Sequence, residues 1–166
     1  MSKVSQLDRF REAQDSAHSG FESALREIQT GRKLGHWIWY IFPQIAGLAR
    51  SHASQAFAID SEAEAVEFLR DAELRSRLIS ITRAVAEQLK TERAKSLRDL
   101  MGSDIDARKL VSSMTLFGHV ARKLHETERL EGFAEMAAIA DEVLSKAASQ
   151  NYPRCEYTLR RLRGHV

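Results

Sequence analysis

Two short stretches concentrate the side chains best able to do chemistry: His36, Trp37, Trp39 and Gln44 in the first, Lys109, Ser112 and Ser113 in the second. The first stretch, Gly35 to Gln44, holds both tryptophans, and positions 37 to 42 carry four of the chain's twelve aromatic residues. Burial alone rarely asks for such crowding, because each indole N–H and phenol must find a partner once it leaves water. An aromatic face can stack a base or a cation, and an imidazole exchanges a proton near neutral pH. Trp37 and Trp39 are therefore candidate stacking platforms, and His36 is the candidate acid or base. The competing reading makes the segment a core element whose rings fill a wide gap between helices.

In the second stretch, Asp106, Lys109 and Ser113 form one polar stripe on a helix, with Ser112 beside it and Leu110, Met114 and Phe117 on the adjoining apolar stripe. An ammonium and two hydroxyls on that border can hold an anion. The plainer alternative is a surface pair between Asp106 and Lys109, contributing at most a few tenths of a kcal/mol, with serines that let helices approach closely.

Other chemistries lack their residues. The six histidines include no pair four apart, and one cysteine, Cys155, can build neither a thiolate metal cluster nor an internal disulfide. No metal and no cofactor are expected. No glycine-rich phosphate loop, dinucleotide fingerprint or Gly-x-Ser-x-Gly elbow is present, so phosphates would be held by side chains and covalent catalysis has no named nucleophile.

The elements that must position these groups are helical. Leu7, Phe10, Gln14, Ala17, Phe21, Ala24 and Ile28 follow steps of three and four, giving one long helix or two broken near Ser19-Gly20, with Gly31 as a left-handed cap. Ser61 with Glu64 fits a capping box opening a helix to about Asp71, followed by a stripe from Leu74 to Leu89. Ser96 can cap a short turn ending at Gly102. Ser103 or Asp104 can cap the helix of Lys109, Thr127 can start another, and Pro153 permits a last turn from Glu156 to Arg163. No alternating strand or hairpin signal competes. The expectation is an all-α fold, one compact domain of six to eight helices over residues 1–166, with Gly31 to Asp60 as the irregular exception where a site can sit.

The chain of 166 residues, 43% apolar and 29% charged, has enough apolar residues for one core and is too varied for disorder or low complexity. The net charge of +2 argues against strong nucleic-acid attraction. From Asn151 onward, four arginines stand against one glutamate, so this basic end carries +3 and the remainder −1. Those arginines suit the last turn of a terminal helix; a weak anion-binding tail is the other option. No apolar run approaches the ~20 residues that span a bilayer, and the polar start lacks a secretory core, so no membrane association and a cytoplasmic address are expected.

Read in order, His36 to Gln44 as His-Trp-x-Trp-x-x-Phe-Pro-Gln and Lys109 to Phe117 as Lys-Leu-x-Ser-Ser-Met-Thr-Leu-Phe, the sequence resembles an uncharacterised bacterial family known as domain of unknown function 1810. The likeness extends through Phe10, Gln14, Ala24 and Gly31 before the first block and through Ile59, Leu69 and Leu78 between the two. It implies a single all-helical domain and no established activity. Gly102-Ser103-Asp104-Ile105-Asp106 replaces the acidic, proline-containing turn of many relatives, which leaves the roles of Asp104 and Asp106 open. A fainter similarity, in Asp106, Lys109, Met114 and Phe117, is to a family processing ADP-ribose and related N-glycosides; its spacing differs and it carries over no residue. The expected function is binding of a small anionic or nucleotide-like ligand between the two blocks, with hydrolysis of an N-glycosidic bond as the reaction to test. The alternative is a non-catalytic protein-interaction module with the aromatic segment as its anchor.

Overall fold

The computed structural model describes residues 5–90 and 95–164. The apolar stripe that begins at Leu7 is split as its glycine suggests, into α1 (Asp8–Gln14) and α2 (Phe21–Thr30). Gly20 stands at the break because a Cβ there would run into the backbone carbonyls of Ser16 and Gln14. Gly31, at φ 101°, closes α2 in the left-handed conformation that a side chain would resist.

Four later helices open on serine hydroxyls that accept a free first-turn N–H, Ser51 accepting from Ser54 in the short turn His52–Ala56. Ser61 accepts from Glu64 to begin α5 (Glu62–Arg70), Ser96 from Asp99 to begin α7 (Leu97–Met101), and Ser103 from Asp106 to begin α8 (Asp104–Glu128). In α5 the return bond runs from the Asp60 N–H to the Glu64 carboxylate, one residue before the position of a regular capping box. Between α5 and α7 lies α6 (Ala72–Lys90). The chain ends in α9 (Glu131–Ser149) and α10 (Glu156–Leu162).

The architecture is all-α, but the count exceeds the sequence expectation. Ten helices occur among the described residues, the excess coming from the irregular segment, where α3 (Ile38–Ile41) and α4 (His52–Ala56) are turns of four and five residues. Thr127 does not start a helix. Its hydroxyl donates back to the carbonyls of Lys123 and Leu124, α8 runs on to Glu128, and Arg129 at φ 52° ends it.

Helix α8 is buried on most sides, from Ala107 to Leu124, which suits the centre of a bundle. It packs against α9, α5, α7, α10 and α3, while α6 joins α9 to α2. Phe10, Phe68 and Phe117 stack through the interior at centroid separations of 5.3 and 4.9 Å. Residues 42–60 pass over this core, with Phe42, Pro43, Ile45 and Ile59 buried, and are tied by a parallel bridge, Ile45 with Ile59, with N–H donors from Ala46 and Ile59 at 2.8 Å. Arg9 clamps the same segment from α1, donating to the Ala58 carbonyl and to Glu64, both at 2.8 Å. That crossing carries the aromatic block up to α8.

Candidate functional site

The strap between α2 and α3 is fixed by one carboxylate. Glu27 accepts from the backbone N–H groups of Leu34 at 2.7 Å and Gly35 at 2.6 Å, and from the indole Nε1 of Trp37 at 3.1 Å. Burial pushes this carboxyl's pKa upward, but the bonds from Gly35, Leu34 and Trp37 and the charge of Lys33 outweigh it and hold the group below its ordinary value. Trp37 is completely buried, so its ring sits as a packed wall with its one polar atom satisfied.

Lys33 reaches across this wall. Its ammonium lies 5.0 Å above the Trp37 ring, donates to the Gly35 carbonyl at 2.5 Å and pairs with the Asp106 carboxylate on α8 at 2.8 Å. With a side chain only 6% exposed it depends on those partners, since a buried ammonium without them would be costly.

On the other side of Asp106 the arrangement repeats with a difference. The Lys109 ammonium lies 5.0 Å above the Trp39 ring, and its side chain is only 16% exposed. Its distance to Asp106 is 3.9 Å, beyond hydrogen-bond range, and among the described residues it donates to no acceptor. The Trp39 Nε1 is buried without a partner, and so is the Ser113 hydroxyl, one helical turn beyond Lys109 on the same face of α8. Serines within helices commonly return their proton to the carbonyl four residues earlier, as Ser112 does to Arg108 at 3.0 Å. Ser113 does not.

The two sequence blocks thus meet through Trp39 and Lys109, with Asp106 bound to Lys33 and 3.9 Å from Lys109. Trp39 and Gln44 also wall a hollow of about 190 Å³ together with residues 45–49, Ser54, Gln55, Phe57 and Ala58; Lys109 reaches Trp39 without lining it. Ser112 opens instead on a second hollow of about 360 Å³ with Arg108, Tyr152, Arg154 and Cys155, and Leu48 borders both. His36 is exposed, lines none of these hollows and hydrogen-bonds to nothing among the described residues. Asp104 accepts from the Tyr152 hydroxyl at 2.7 Å and from Arg108 at 3.0 Å, which hold its carboxyl below the ordinary value, Tyr152 most. The terminal arginines are partly committed, Arg161 to the Ala46 carbonyl at 2.8 Å and Arg154 to Asp141 at 3.4 Å. Among the described residues no three His, Cys, Asp or Glu side chains come together to hold a metal ion, and no helix is long and apolar enough to cross a membrane.

Comparison with known proteins agrees with this frame. The model of a family described as protein of unknown function (DUF1810) matches residues 4–140, a span that contains both blocks. The chain belongs to that family. A solved structure, the conserved hypothetical protein Rv1873 from Mycobacterium tuberculosis, is similar with a TM-score of 0.68 and 28% identity over 93% of this chain and 94% of that one. No curated protein matches. DUF1810 membership carries the helical fold and no activity.

Within this DUF1810 chain, sequence reasoning passed over Glu27 and Lys33. Neither has a motif: each stands among ordinary charged residues, and only the strap's path to α8 makes it a partner. A signal did exist for Asp106, three residues before Lys109, although spacing alone pointed to a surface pair rather than a carboxylate shared by two lysines.

Proposed function

We propose that the chain binds a small anionic ligand at the junction of α3 and α8, with the oxyanion taking hydrogen bonds from Lys109, Trp39 and Ser113. One observation carries this reading: three groups able to donate, all largely or wholly buried, lack a hydrogen-bond acceptor among the described residues, Lys109 and Ser113 one turn apart on α8 and Trp39 with its ring under the Lys109 ammonium. Buried donors are ordinarily paired, and a surplus of them calls for an acceptor from outside, either ordered water or a ligand oxygen. The ammonium gives the acceptor its sign, and the ring beneath it fixes the ammonium in place.

Lys109 and Ser113 line neither nearby hollow, so the oxyanion would sit against the α8 face itself, while the hollow walled by Trp39 and the larger one beyond Leu48 leave room for the rest of a nucleotide-like molecule. Binding is the proposed activity. N-glycosidic hydrolysis is not part of it, because His36 lies outside the cluster and Asp106 is committed to Lys33.

The chain has two tryptophans, which makes the test direct. Titration with phosphate, AMP and ADP-ribose should change intrinsic fluorescence in the native chain and leave Trp39→Phe unresponsive. Lys109→Met should weaken binding at least tenfold with the melting temperature preserved. Failure of all three compounds to change fluorescence or melting temperature at millimolar concentration would reject the reading.

A further inference from the structure

The opposite edge of the same strap carries a surface unlike the rest of the molecule. Only three large apolar side chains among the described residues are well exposed, and two of them, Leu34 at 74% and Ile105 at 65%, directly neighbour in sequence the residues Lys33 and Asp106 that pair across the strap and α8. Lys33 donates its backbone N–H to the Leu100 carbonyl at 2.8 Å and its ammonium to Asp106 at 2.8 Å. Gly102 sits beneath, where an added Cβ would press on the Lys33 carbonyl at 3.0 Å.

The same seam borders a hollow of about 490 Å³ lined by Arg32, Lys95, Arg98, Asp99 and Gly102. Three cations there face one acid. The Arg32 and Arg98 guanidinium groups make no hydrogen bond or close ion pair among the described residues, although the charge of Arg98 acts on Asp104 and Tyr152, and Lys95 donates to the Gly31 carbonyl at 2.8 Å. The other nearby carboxylate, Asp104, is already taken by Tyr152 and Arg108. Among the described residues the hollow is thus electropositive, and the exposed Leu34 and Ile105 stand two and three residues along the chain from its lining at Arg32 and Gly102. The strap that carries Leu34 is rigid, since Glu27 fixes the N–H groups of both Leu34 and Gly35.

We propose that this seam is a docking surface for an acidic segment of a partner protein that also carries leucine or phenylalanine, its carboxylates entering the hollow against Arg32 and Arg98 and its apolar side chain covering Leu34 and Ile105. Charge complementarity decides the acidic part, and the exposed aliphatic pair decides the apolar part. A free inorganic anion would leave Leu34 and Ile105 in water. A flat lipid surface would rest on the rim and leave the cations within the hollow unmatched, so a protruding peptide fits better than either.

The probe is a pool of ten-residue peptides with Asp, Glu, Leu or Phe at every position, set against a pool in which Asn and Gln replace the acids. Amide and side-chain NMR signals of the full-length chain should shift at Leu34, Arg98 and Ile105 with the acidic pool only. Arg32→Glu with Arg98→Glu should weaken binding at least tenfold, Leu34→Ser with Ile105→Ser at least threefold, and raising salt from 50 to 500 mM should weaken the native chain. Lys109→Met should bind the pool as the native chain does, which separates this surface from the anion site. No shift at millimolar peptide, equal binding of the uncharged pool, or attachment to phosphatidylserine vesicles without peptide binding would each overturn the proposal.

Discussion

Trp37 with Lys33 and Trp39 with Lys109 are two versions of one unit: a lysine ammonium 5.0 Å above an indole, with Asp106 serving both. In the first, every polar atom is spoken for. Glu27 accepts from the indole, Gly35 and Asp106 accept from the ammonium, and the ring is sealed. In the second, the indole N–H is orphaned and the ammonium has a carboxylate only at 3.9 Å. The same residue types at almost the same separation therefore do different work, and satisfaction of hydrogen bonds, rather than residue identity, tells structure from site. Buried atoms without a partner also occur at His125 and Thr158, so it is the combination of the orphaned indole and the Ser113 hydroxyl with the Lys109 ammonium that sets the second unit apart.

If that division holds, damage to the first unit should unfold the protein and damage to the second should not. The largest effect is expected for Trp37→Ala, at roughly 3–5 kcal/mol from lost ring and cavity, read by urea denaturation. Glu27→Ala should follow at about 2–3 kcal/mol, because it strands the Trp37 indole and two backbone N–H groups. The same carboxylate gives a pH signature. Its pKa lies below the ordinary value in the folded state, so its contribution is complete above the unfolded carboxylate's pKa and disappears as pH falls through the depressed folded one. An acid titration of stability should therefore be less steep for Glu27→Gln than for the native chain. Asp106→Asn should cost about 1–3 kcal/mol by depriving Lys33 of its charge partner, and circular dichroism should still report a helical chain. Smallest of all, Lys109→Met and Trp39→Phe should each stay within about 0.5 kcal/mol of native stability, since neither removes a made hydrogen bond. A loss of several kcal/mol from Lys109→Met would erase the comparison by placing both units in the structural class.

The sequence told most about the helices and least about the hydrogen bonds between them. Periodicity and capping serines placed α5, α6, α7 and the start of α8 closely, because these signals act within a few residues. The break at Gly20 was legible as one of two options. The turns α3 and α4 were not, since four or five residues carry no period; α4 opens on the Ser51 hydroxyl, which accepts from the Ser54 N–H, and lies between the bridged residues Ile45 and Ile59. The same limit governs the site. The two rare blocks signalled Trp39 and Lys109 together, yet nothing in their residue types distinguished Trp37 from Trp39. That distinction lies in Glu27, ten residues from the indole it accepts from, and becomes visible only when the strap is drawn back over α2.

The grip of α10 on the crossing has a consequence for how relatives can diverge. Tyr157 and Arg161 both donate to the Ala46 carbonyl, at 3.1 and 2.8 Å, and the Tyr157 hydroxyl occupies the space any side chain at Gly47 would need. This helix lies past residue 140, where the family match stops, yet it holds Ala46 and crowds Gly47, two residues that line the hollow beside Trp39. Evolution can therefore reset that lining by rewriting the terminal helix while both lysine–indole units stay untouched.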